Sequence, residues 1–147
     1  MIVYTNSLTD VTAEHLVGGF FVGWPHPPSP ADHLRLLRQS TAALLARRAD
    51  GLVVGFITAI SDEVSCAYIP HLEVLPEYQG QGIGSELVKH LLARFQHLYM
   101  IDLLCDAELQ PFYARLGMRP ITGMLVRNFD HQSCEPLSLP PEPGERP

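Results

Sequence analysis

A glycine-rich turn between a predicted strand and a predicted helix is the part of the sequence best suited to bind an anion. Gly80, Gly82 and Gly84 occupy every second position. Glycine adopts backbone angles that other residues avoid and lets a ligand approach the main chain closely. The first turn of the helix would leave N–H groups unpaired at the positive end of the helix dipole. The segment therefore predicts a phosphate site built from backbone donors.

The spacing of the glycines excludes two common phosphate loops. The dinucleotide fingerprint places its third glycine three positions after the second, whereas Gly84 follows Gly82 by two. The P-loop requires a lysine next to its last glycine, and the first lysine here is Lys89. The pattern that remains is Gln79-x-x-Gly82-x-Gly84.

A second motif follows about thirty residues downstream. A strand is predicted over 101–105, and a short helix over 109–118 that ends at Gly117. The end of this helix reads Phe112-Tyr113-Ala114-Arg115-Leu116-Gly117-Met118.

Together the two motifs resemble those of the GNAT superfamily of N-acetyltransferases. The first matches the family's Gln/Arg-x-x-Gly-x-Gly/Ala pattern, and the second matches Phe-Tyr-x-x-x-Gly-Phe with Met118 in place of the last aromatic residue. The resemblance covers about residues 1 to 130 and implies an α/β fold. Its mixed central sheet would have about six or seven strands, splayed near the fourth strand and flanked by helices on both faces.

The resemblance also implies acetyl-CoA as co-substrate and transfer of its acetyl group to a primary amine by direct attack in a ternary complex. The glycine turn would hold the pyrophosphate, and backbone groups near the splay would hold the pantetheine arm. The residues expected to bind the cofactor are Leu72, Val74, Gln79, Gly80, Gln81, Gly82, Ile83, Gly84, Ser85 and Phe112.

Tyr113 matches the tyrosine that many relatives use to protonate the departing thiolate, so we expect it to be the general acid. The base is less well defined, because relatives often place Glu or His where this chain has Tyr68 and Pro70. Simple strand alternation would separate Tyr68 from His71 and Glu73, although an irregularity at Pro70 could reverse this. Base or water-relay candidates are His71, Glu73 and Tyr68, with Asp102 and Asp106 as further candidates and ordered water as an alternative.

An aromatic and proline-rich loop over 20–30 is expected to form a wall of the acceptor pocket through Phe20, Trp24 and His26. An equally good interpretation is that Phe20 and Trp24 simply pack in the core. Short helices are predicted over 12–20 and after Ser29-Pro30. Asp50-Gly51 predicts a hairpin between strands 41–48 and 51–60, and the second of these is apolar enough to be covered on both faces.

Pro70 cannot donate to a strand ladder, so it predicts a bulge or a splay. A final strand pair is expected to run to about Phe129. The 147 residues then divide into a single domain over 1–131 and a proline-rich segment over 132–147, which we expect to form a mobile tail.

The composition limits the classes of partner and cofactor that are expected. The net charge of −6 disfavours nucleic acid, and no stretch has the ~20 apolar residues that a membrane span requires. The first residues lack the pattern of a signal peptide, and the three cysteines show no paired spacing, so we expect a cytoplasmic protein with reduced thiols. The seven histidines show no metal-ligand spacing, so no metal is expected.

Three interpretations of the activity stay open at this point. The first is acetyl transfer to a small-molecule or peptide amine, and the acidic net charge mildly favours a cationic amine. The second is a non-catalytic sensor or regulatory module that binds CoA or acetyl-CoA, because no obvious base is present. The third is transfer of a longer acyl chain, in an opening near Phe56 and Leu104. By analogy with the family, a homodimer is also an expectation.

Overall fold

The computed structural model describes residues 1–136. Residues 137–147 of the predicted mobile tail lie outside this range, and residues 132–136 lie within it. The strands are β1 (Ile2–Thr5), β2 (Ala42–Arg48), β3 (Val53–Ser61), β4 (Cys66–Val74) and β5 (Met100–Asp102). The α-helices are α1 (Pro30–Gln39), α2 (Ile83–Arg94) and α3 (Gln110–Ala114), and four short 3-10 helices span Ala13–Leu16, Pro76–Tyr78, Ala107–Leu109 and Phe129–His131.

The five strands form one mixed sheet in the order β1-β2-β3-β4-β5. The first four are successively antiparallel, and β5 runs parallel to β4. Asp50-Gly51 closes the β2–β3 hairpin as predicted, with Gly51 at φ +92° and its N–H donating to Arg48 O at 3.0 Å. The α/β class and the mixed sheet expected from the sequence are therefore confirmed.

β3 is the central strand, and residues 53–59 are buried. Ile57 and Ala59 face α2 in one apolar core, while Val53 and Phe56 face α1 and the N-terminal segments in a second core. Helices therefore cover both faces of the sheet, as the apolar run in this strand predicts.

β4 contains the predicted irregularity. Thr58 pairs with His71 and Ile60 pairs with Tyr68, so two residues of β4, Ile69 and Pro70, lie opposite the single residue Ala59. This is a bulge, and it allows a proline that cannot donate to the ladder to sit within the strand.

The sheet opens beyond the bulge. β5 pairs with β4 only over Cys66–Tyr68 of β4, and the residues from Ile69 to Val74 have no strand partner on the β5 side. The splay near the fourth strand is therefore confirmed, and it leaves a length of β4 backbone available to a ligand.

Three expectations about regular structure are wrong. The predicted helix over 12–20 is only the 3-10 turn Ala13–Leu16, because Gly19 follows with φ +87° and Phe21 with φ +63°. The strand over 101–105 is shortened to β5. The final strand pair is absent from the described residues, so the sheet has five strands rather than six or seven. Pro120 and Gly123 interrupt that last segment: proline has no N–H to donate to a ladder, and glycine weakens a strand.

The contact between α2 and the sheet should supply much of the stability of the fold. Val88 on α2 is fully buried, whereas Val64, in the turn before β4, is 81% exposed. We expect Val88→Ala to lower the free energy of unfolding by about 1–3 kcal/mol, because it removes two methyl groups and leaves a cavity. Val64→Ala is the matched control and should change it by less than about 0.5 kcal/mol. Denaturant titration measures both, and equal effects would contradict this packing.

Candidate functional site

The glycine turn is built as an open cradle of backbone. Gly80 and Gly82 have φ angles of +73° and +82°, in the left-handed region, and an added Cβ at either would meet no atom within 4 Å. Gly82 is the N-cap of α2, and its carbonyl accepts the N–H of Glu86 at 3.0 Å. The N–H groups of the first turn of α2 therefore face open space, as an anion site requires.

Neighbouring residues fix the shape of this cradle. Ile83 is buried, so only its backbone can reach a ligand. Gly84 allows close packing, because its Cβ would lie 3.6 Å from Phe112 Cζ and 3.7 Å from Val74 Cγ2. The Gln79 side chain donates from Nε2 to Val74 O at 3.0 Å, which ties the turn to the end of β4.

The open side of β4 lies next to this cradle. Leu75 N donates to Val54 O at 2.8 Å, so by strand alternation Leu72 and Val74 direct their backbone groups away from β3. The carbonyl of Val74 bonds to Gln79, and the Leu72 backbone lies in the part of β4 without a β5 partner. The predicted pantetheine contacts are therefore sterically available, and their role stays a prediction.

The bulge places all three base candidates on one face of the sheet. Tyr68, His71 and Glu73 pair with Ile60, Thr58 and Phe56, which are alternate residues of β3. Simple alternation would put Tyr68 on the opposite face, and an irregularity at Pro70 would reverse this. The structure contains the irregularity, and the extra residue at the bulge reverses the side-chain direction N-terminal to it.

His71 is a partly buried, neutral base candidate. Burial lowers its pKa from 6.5 to about 4, so the ring is uncharged at neutral pH. Its Nδ1 lies 2.9 Å from the hydroxyl of buried Thr58. When Nδ1 carries the hydrogen and donates to Thr58, Nε2 is left free to accept a proton.

Glu73 anchors the loop that precedes α1. Its Oε2 accepts the N–H of Phe21 at 2.6 Å, and this residue is held at φ +63°. A left-handed conformation in a bulky residue costs about 1–2 kcal/mol, so the surrounding structure must impose it. Burial raises the pKa of Glu73, and the bond from Phe21 partly offsets that rise.

His33 on α1 is a buried residue that the sequence analysis missed. It is 1% exposed, its Nε2 has no hydrogen-bond partner within residues 1–136, and its ring centroid lies 4.4 Å from that of Phe56. Burial, and then the nearby His71, lower its pKa to about 4. The signal available in the sequence was its spacing of four residues from buried Leu37 on the same helix.

Tyr113 lies on α3 at the other side of the opening. Burial, and then the thiol of Cys105, raise its pKa to about 12, so the hydroxyl keeps its proton. Its side chain and that of Tyr68 line an open trough of about 1450 Å³ between β5 and the segment after α3. A protonated phenol in this position is able to donate a proton.

The three residues predicted to line the acceptor pocket take different positions. Phe20 is half-buried and packs edge-on against Phe56 at 5.2 Å, so it reaches the sheet face that carries Glu73. Trp24 is half-buried and packs on Phe21 at 5.0 Å. His26 is exposed, and its N–H donates to Gln132 Oε1 at 3.0 Å. Phe21, which the sequence analysis did not select, is the residue that contacts Glu73 directly.

Residues 1–136 contain no group of three or more His, Cys, Asp or Glu side chains arranged to hold a metal ion. Within the same range, no helix combines the length and apolar character that crossing a membrane demands.

The sequence was compared with protein-family models and curated proteins. A model described as the acetyltransferase (GNAT) family matches residues 10–118. The uncharacterized N-acetyltransferase ycf52 of Gracilaria tenuistipitata var. liui is 28% identical over 100 residues, which cover 65% of this chain and 55% of that protein. GCN5-related N-acetyltransferase 2, chloroplastic, of Arabidopsis thaliana is 37% identical over 67 residues, 44% of this chain and 26% of that protein. The chain spans about half the length of the first curated relatives it matches.

Solved structures agree in fold over most of the chain. A crystal structure from Deinococcus radiodurans R1, of a protein named an acetyltransferase by inference, has a TM-score of 0.87 and 42% identity, covering 90% of this chain and 92% of that chain. The GNAT family acetyltransferase SP0256 of Streptococcus pneumoniae TIGR4 has a TM-score of 0.71 and 31% identity, covering 87% and 98%.

The cradle can be tested by adding a side chain at Gly82. Because Gly82 has φ +82° and its Cβ would project into open space, valine there strains the N-cap and covers the free amides. We expect Gly82→Val to weaken acetyl-CoA binding more than tenfold, as measured by calorimetric titration. Gly19→Val is the matched control, since Gly19 has φ +87° and equally open surroundings, and its affinity should stay within about threefold of wild type. Similar losses in both variants would place the phosphate elsewhere.

Proposed function

The chain belongs to the acetyltransferase (GNAT) family of acyltransferases, and from that premise we propose that it transfers an acetyl group from acetyl-CoA to a primary amine. The observation that carries the proposal is the open cradle of Gly80 and Gly82 at the start of α2, next to the unpaired length of β4. The cradle offers backbone N–H donors to a pyrophosphate. The length of β4 without a strand partner offers backbone hydrogen bonds to the amides of a pantetheine arm. A cytoplasmic location stays a prediction from the sequence.

The residues of the cradle fit the family's co-substrate. Acetyl-CoA has a pyrophosphate, which the backbone N–H groups of Gly82, Ile83 and Gly84 are placed to bind. Its pantetheine amides match the backbone groups of Leu72 and the N–H of Val74, whose carbonyl already accepts from Gln79. The Phe112 ring closes the cradle beside Gly84. When bound, acetyl-CoA supplies a thioester that an amine can attack. A donor near Val74 would polarise the thioester carbonyl.

The acceptor amine must lose a proton before it attacks. An alkylammonium has a pKa of roughly 10, so keeping it neutral at pH 7 costs about 4 kcal/mol without a base. Glu73 and His71 are the best-placed acceptors of this proton, because they share a partly buried face beside the opening. We favour Glu73, since its raised pKa strengthens it as a base while it remains fixed by Phe21.

The departing thiolate requires a proton in return. Tyr113 keeps its proton because its pKa is about 12, and it lies in the trough next to the opening. Direct attack with the amine and thioester held together therefore uses one group on each side of the opening: Glu73 or His71 as base and Tyr113 as acid.

The acceptor is proposed to be a cationic amine on a small molecule or a peptide. The face that holds Glu73 also carries the half-buried ring of Phe20, whereas Phe21 and Phe56 are buried in the core beneath it. A carboxylate attracts an ammonium group by charge, and the accessible part of the Phe20 ring adds a cation–π contact. These groups favour a positively charged acceptor over a neutral or acidic one.

A spectrophotometric assay of thiol release tests the proposal directly. The protein is mixed with acetyl-CoA and a panel of polyamines, aminoglycosides, lysine-containing peptides and amino sugars, with acidic amines as the control set. Thiol release that depends on an amine, with acetylated product seen by mass spectrometry, supports catalysis. Binding of acetyl-CoA without turnover on any amine would favour the sensor interpretation.

Tyr113→Phe separates the acid role from packing. Phenylalanine keeps the ring and removes the proton donor, so we expect kcat to fall by about 100-fold or more while the Kd for acetyl-CoA changes little. In the wild type, a pKa of about 12 means that no alkaline loss of rate should arise from Tyr113 below about pH 11. A kcat within threefold of wild type would show that Tyr113 only packs.

Two substitutions at Glu73 distinguish a role as general base from a role in holding the loop at Phe21. Glutamine keeps an oxygen that can accept the Phe21 N–H but cannot act as a base, whereas alanine loses both functions. If Glu73 is the base, Glu73→Gln should lower kcat by about 100-fold with KM for the amine nearly unchanged. If Glu73 only holds the loop, glutamine should be nearly as active as wild type, and alanine should mainly raise KM. Steady-state kinetics at several pH values distinguishes these results.

A further inference from the structure

His33, near the start of α1, carries a polar atom that the fold leaves unpaired. Among the buried side-chain nitrogen and oxygen atoms of residues 1–136, only Nε2 of His33 lacks a hydrogen-bond partner. The other buried polar side chain in this range is Thr58, and its hydroxyl lies 2.9 Å from His71 Nδ1. A buried polar atom without a partner costs free energy, so a native fold that keeps one requires an explanation.

Packing alone does not explain a histidine at this position. The imidazole ring is surrounded by the rings of Phe56, Phe21 and Phe20, at centroid distances of 4.4, 5.0 and 5.3 Å. Burial lowers the pKa of His33 to about 4, so the ring is neutral at pH 7 and only one of its nitrogens carries a hydrogen. A phenylalanine ring would fill these surroundings without an unpaired polar atom. The imidazole is therefore better explained by binding than by packing.

His33 lies close to the proposed base. Phe56 pairs with Glu73 across β3 and β4, and directly opposite residues have Cβ atoms about 5 Å apart. The His33 ring packs on Phe56. Phe21 joins the same two residues, because its ring packs edge-on against His33 and its N–H donates to Glu73. A single layer of side chains therefore separates the imidazole from the carboxylate.

The half-buried ring of Phe20 covers one side of His33. It packs edge-on against both His33 and Phe56, at interplanar angles of 80° and 83°. Gly18 and Gly19 come directly before it, and Gly19 has φ +87°. Two glycines give the backbone freedom to move the ring. Turning Phe20 aside would uncover His33 on that side and leave the bond between Phe21 and Glu73 in place.

We propose that the unpaired nitrogen of His33 binds a hydroxyl group of the acceptor, so that the preferred acceptor is an amino alcohol whose amine lies at Glu73. A hydroxyl both donates and accepts, so it serves either tautomer of a neutral imidazole, whereas an ammonium group can only donate. The inference rests on the proposed transfer of an acetyl group to an amine. It makes His33 a residue that determines specificity, and neither the base nor the acid.

Two amines of equal size test this preference. In 3-amino-1-propanol a hydroxyl replaces the terminal methyl group of butylamine. We expect kcat/KM of the wild type to be at least about tenfold higher for the amino alcohol, because the alkylamine leaves the buried nitrogen unpaired. The ratio of the two kcat/KM values is then compared between variants, which cancels the intrinsic difference between the amines.

Substitutions of His33 test whether this residue sets the ratio. His33→Phe keeps a ring but cannot form a hydrogen bond, so it should lower the ratio by about tenfold. His33→Gln places an amide that donates and accepts at a similar reach, and its ratio should stay within about threefold of wild type. The matched control is His97→Phe at an exposed position after α2, which should leave the ratio unchanged.

Thermal melting separates binding from packing. His33→Phe should melt at or above the temperature of the wild type, because it removes an unpaired buried atom. A lower melting temperature together with an unchanged ratio would assign His33 to packing and overturn the proposal. An unchanged ratio in a variant of normal stability would overturn it as well.

Nitrogen-15 NMR of the wild-type imidazole gives a test that requires no turnover and no folded variant. In the presence of CoA, 3-amino-1-propanol should shift the Nε2 resonance of His33, and butylamine should not. No shift with either amine, or equal shifts with both, would overturn the proposal. Failure of the proposed function is recognised separately, because the wild type would then give no acetylated product from any amine.

Discussion

The bulge at Ile69 and Pro70 is the constraint on which the rest of the site depends. A proline inside a strand removes one donor, and the extra residue accommodates it while β3 and β4 stay paired on either side. The same extra residue places Tyr68 on the face that holds His71 and Glu73. Pairing with β5 stops just before the bulge, so the backbone beyond it is free. One local irregularity therefore sets both the alignment of the candidate bases and the opening that a thioester would enter.

Burial also shifts the pKa values of the candidate residues on the two sides of the opening. On the sheet face, desolvation disfavours charge, so the pKa of His71 falls to about 4 while the pKa of Glu73 rises. Across the opening, the same effect raises the pKa of Tyr113 to about 12 and keeps it protonated. In the proposed mechanism, the proton acceptor and the proton donor therefore lie on opposite sides of the opening. Glu73 also accepts the N–H of Phe21, whose backbone is left-handed, and this bond joins the loop over 20–30 to the sheet face that carries the candidate bases.

The parts of this arrangement that depend on the chemistry of neighbouring residues could be predicted from the sequence. The glycine turn, the Asp50-Gly51 hairpin, the proline bulge and the two-sided burial of β3 all follow from backbone freedom or hydrogen-bonding capacity. The face of Tyr68 could not be predicted, because it depends on which side of the bulge takes the extra residue. His33 and Phe21 were missed because their roles arise from tertiary contacts. The prediction of a last strand pair was wrong, because a local sequence does not reveal whether a segment finds a strand beside it, and within residues 1–136 it finds none.

Calorimetric titration of the purified wild-type chain with acetyl-CoA tests the central claim most directly, with pantetheine and adenosine 3′,5′-bisphosphate titrated alongside. The account predicts one saturable site for acetyl-CoA in the micromolar range, and at least about 100-fold weaker binding of pantetheine, because it lacks the pyrophosphate that the glycine cradle holds. No binding of acetyl-CoA by a folded sample would contradict the account. Equal affinity for pantetheine would also contradict it, since the cradle would then contribute nothing.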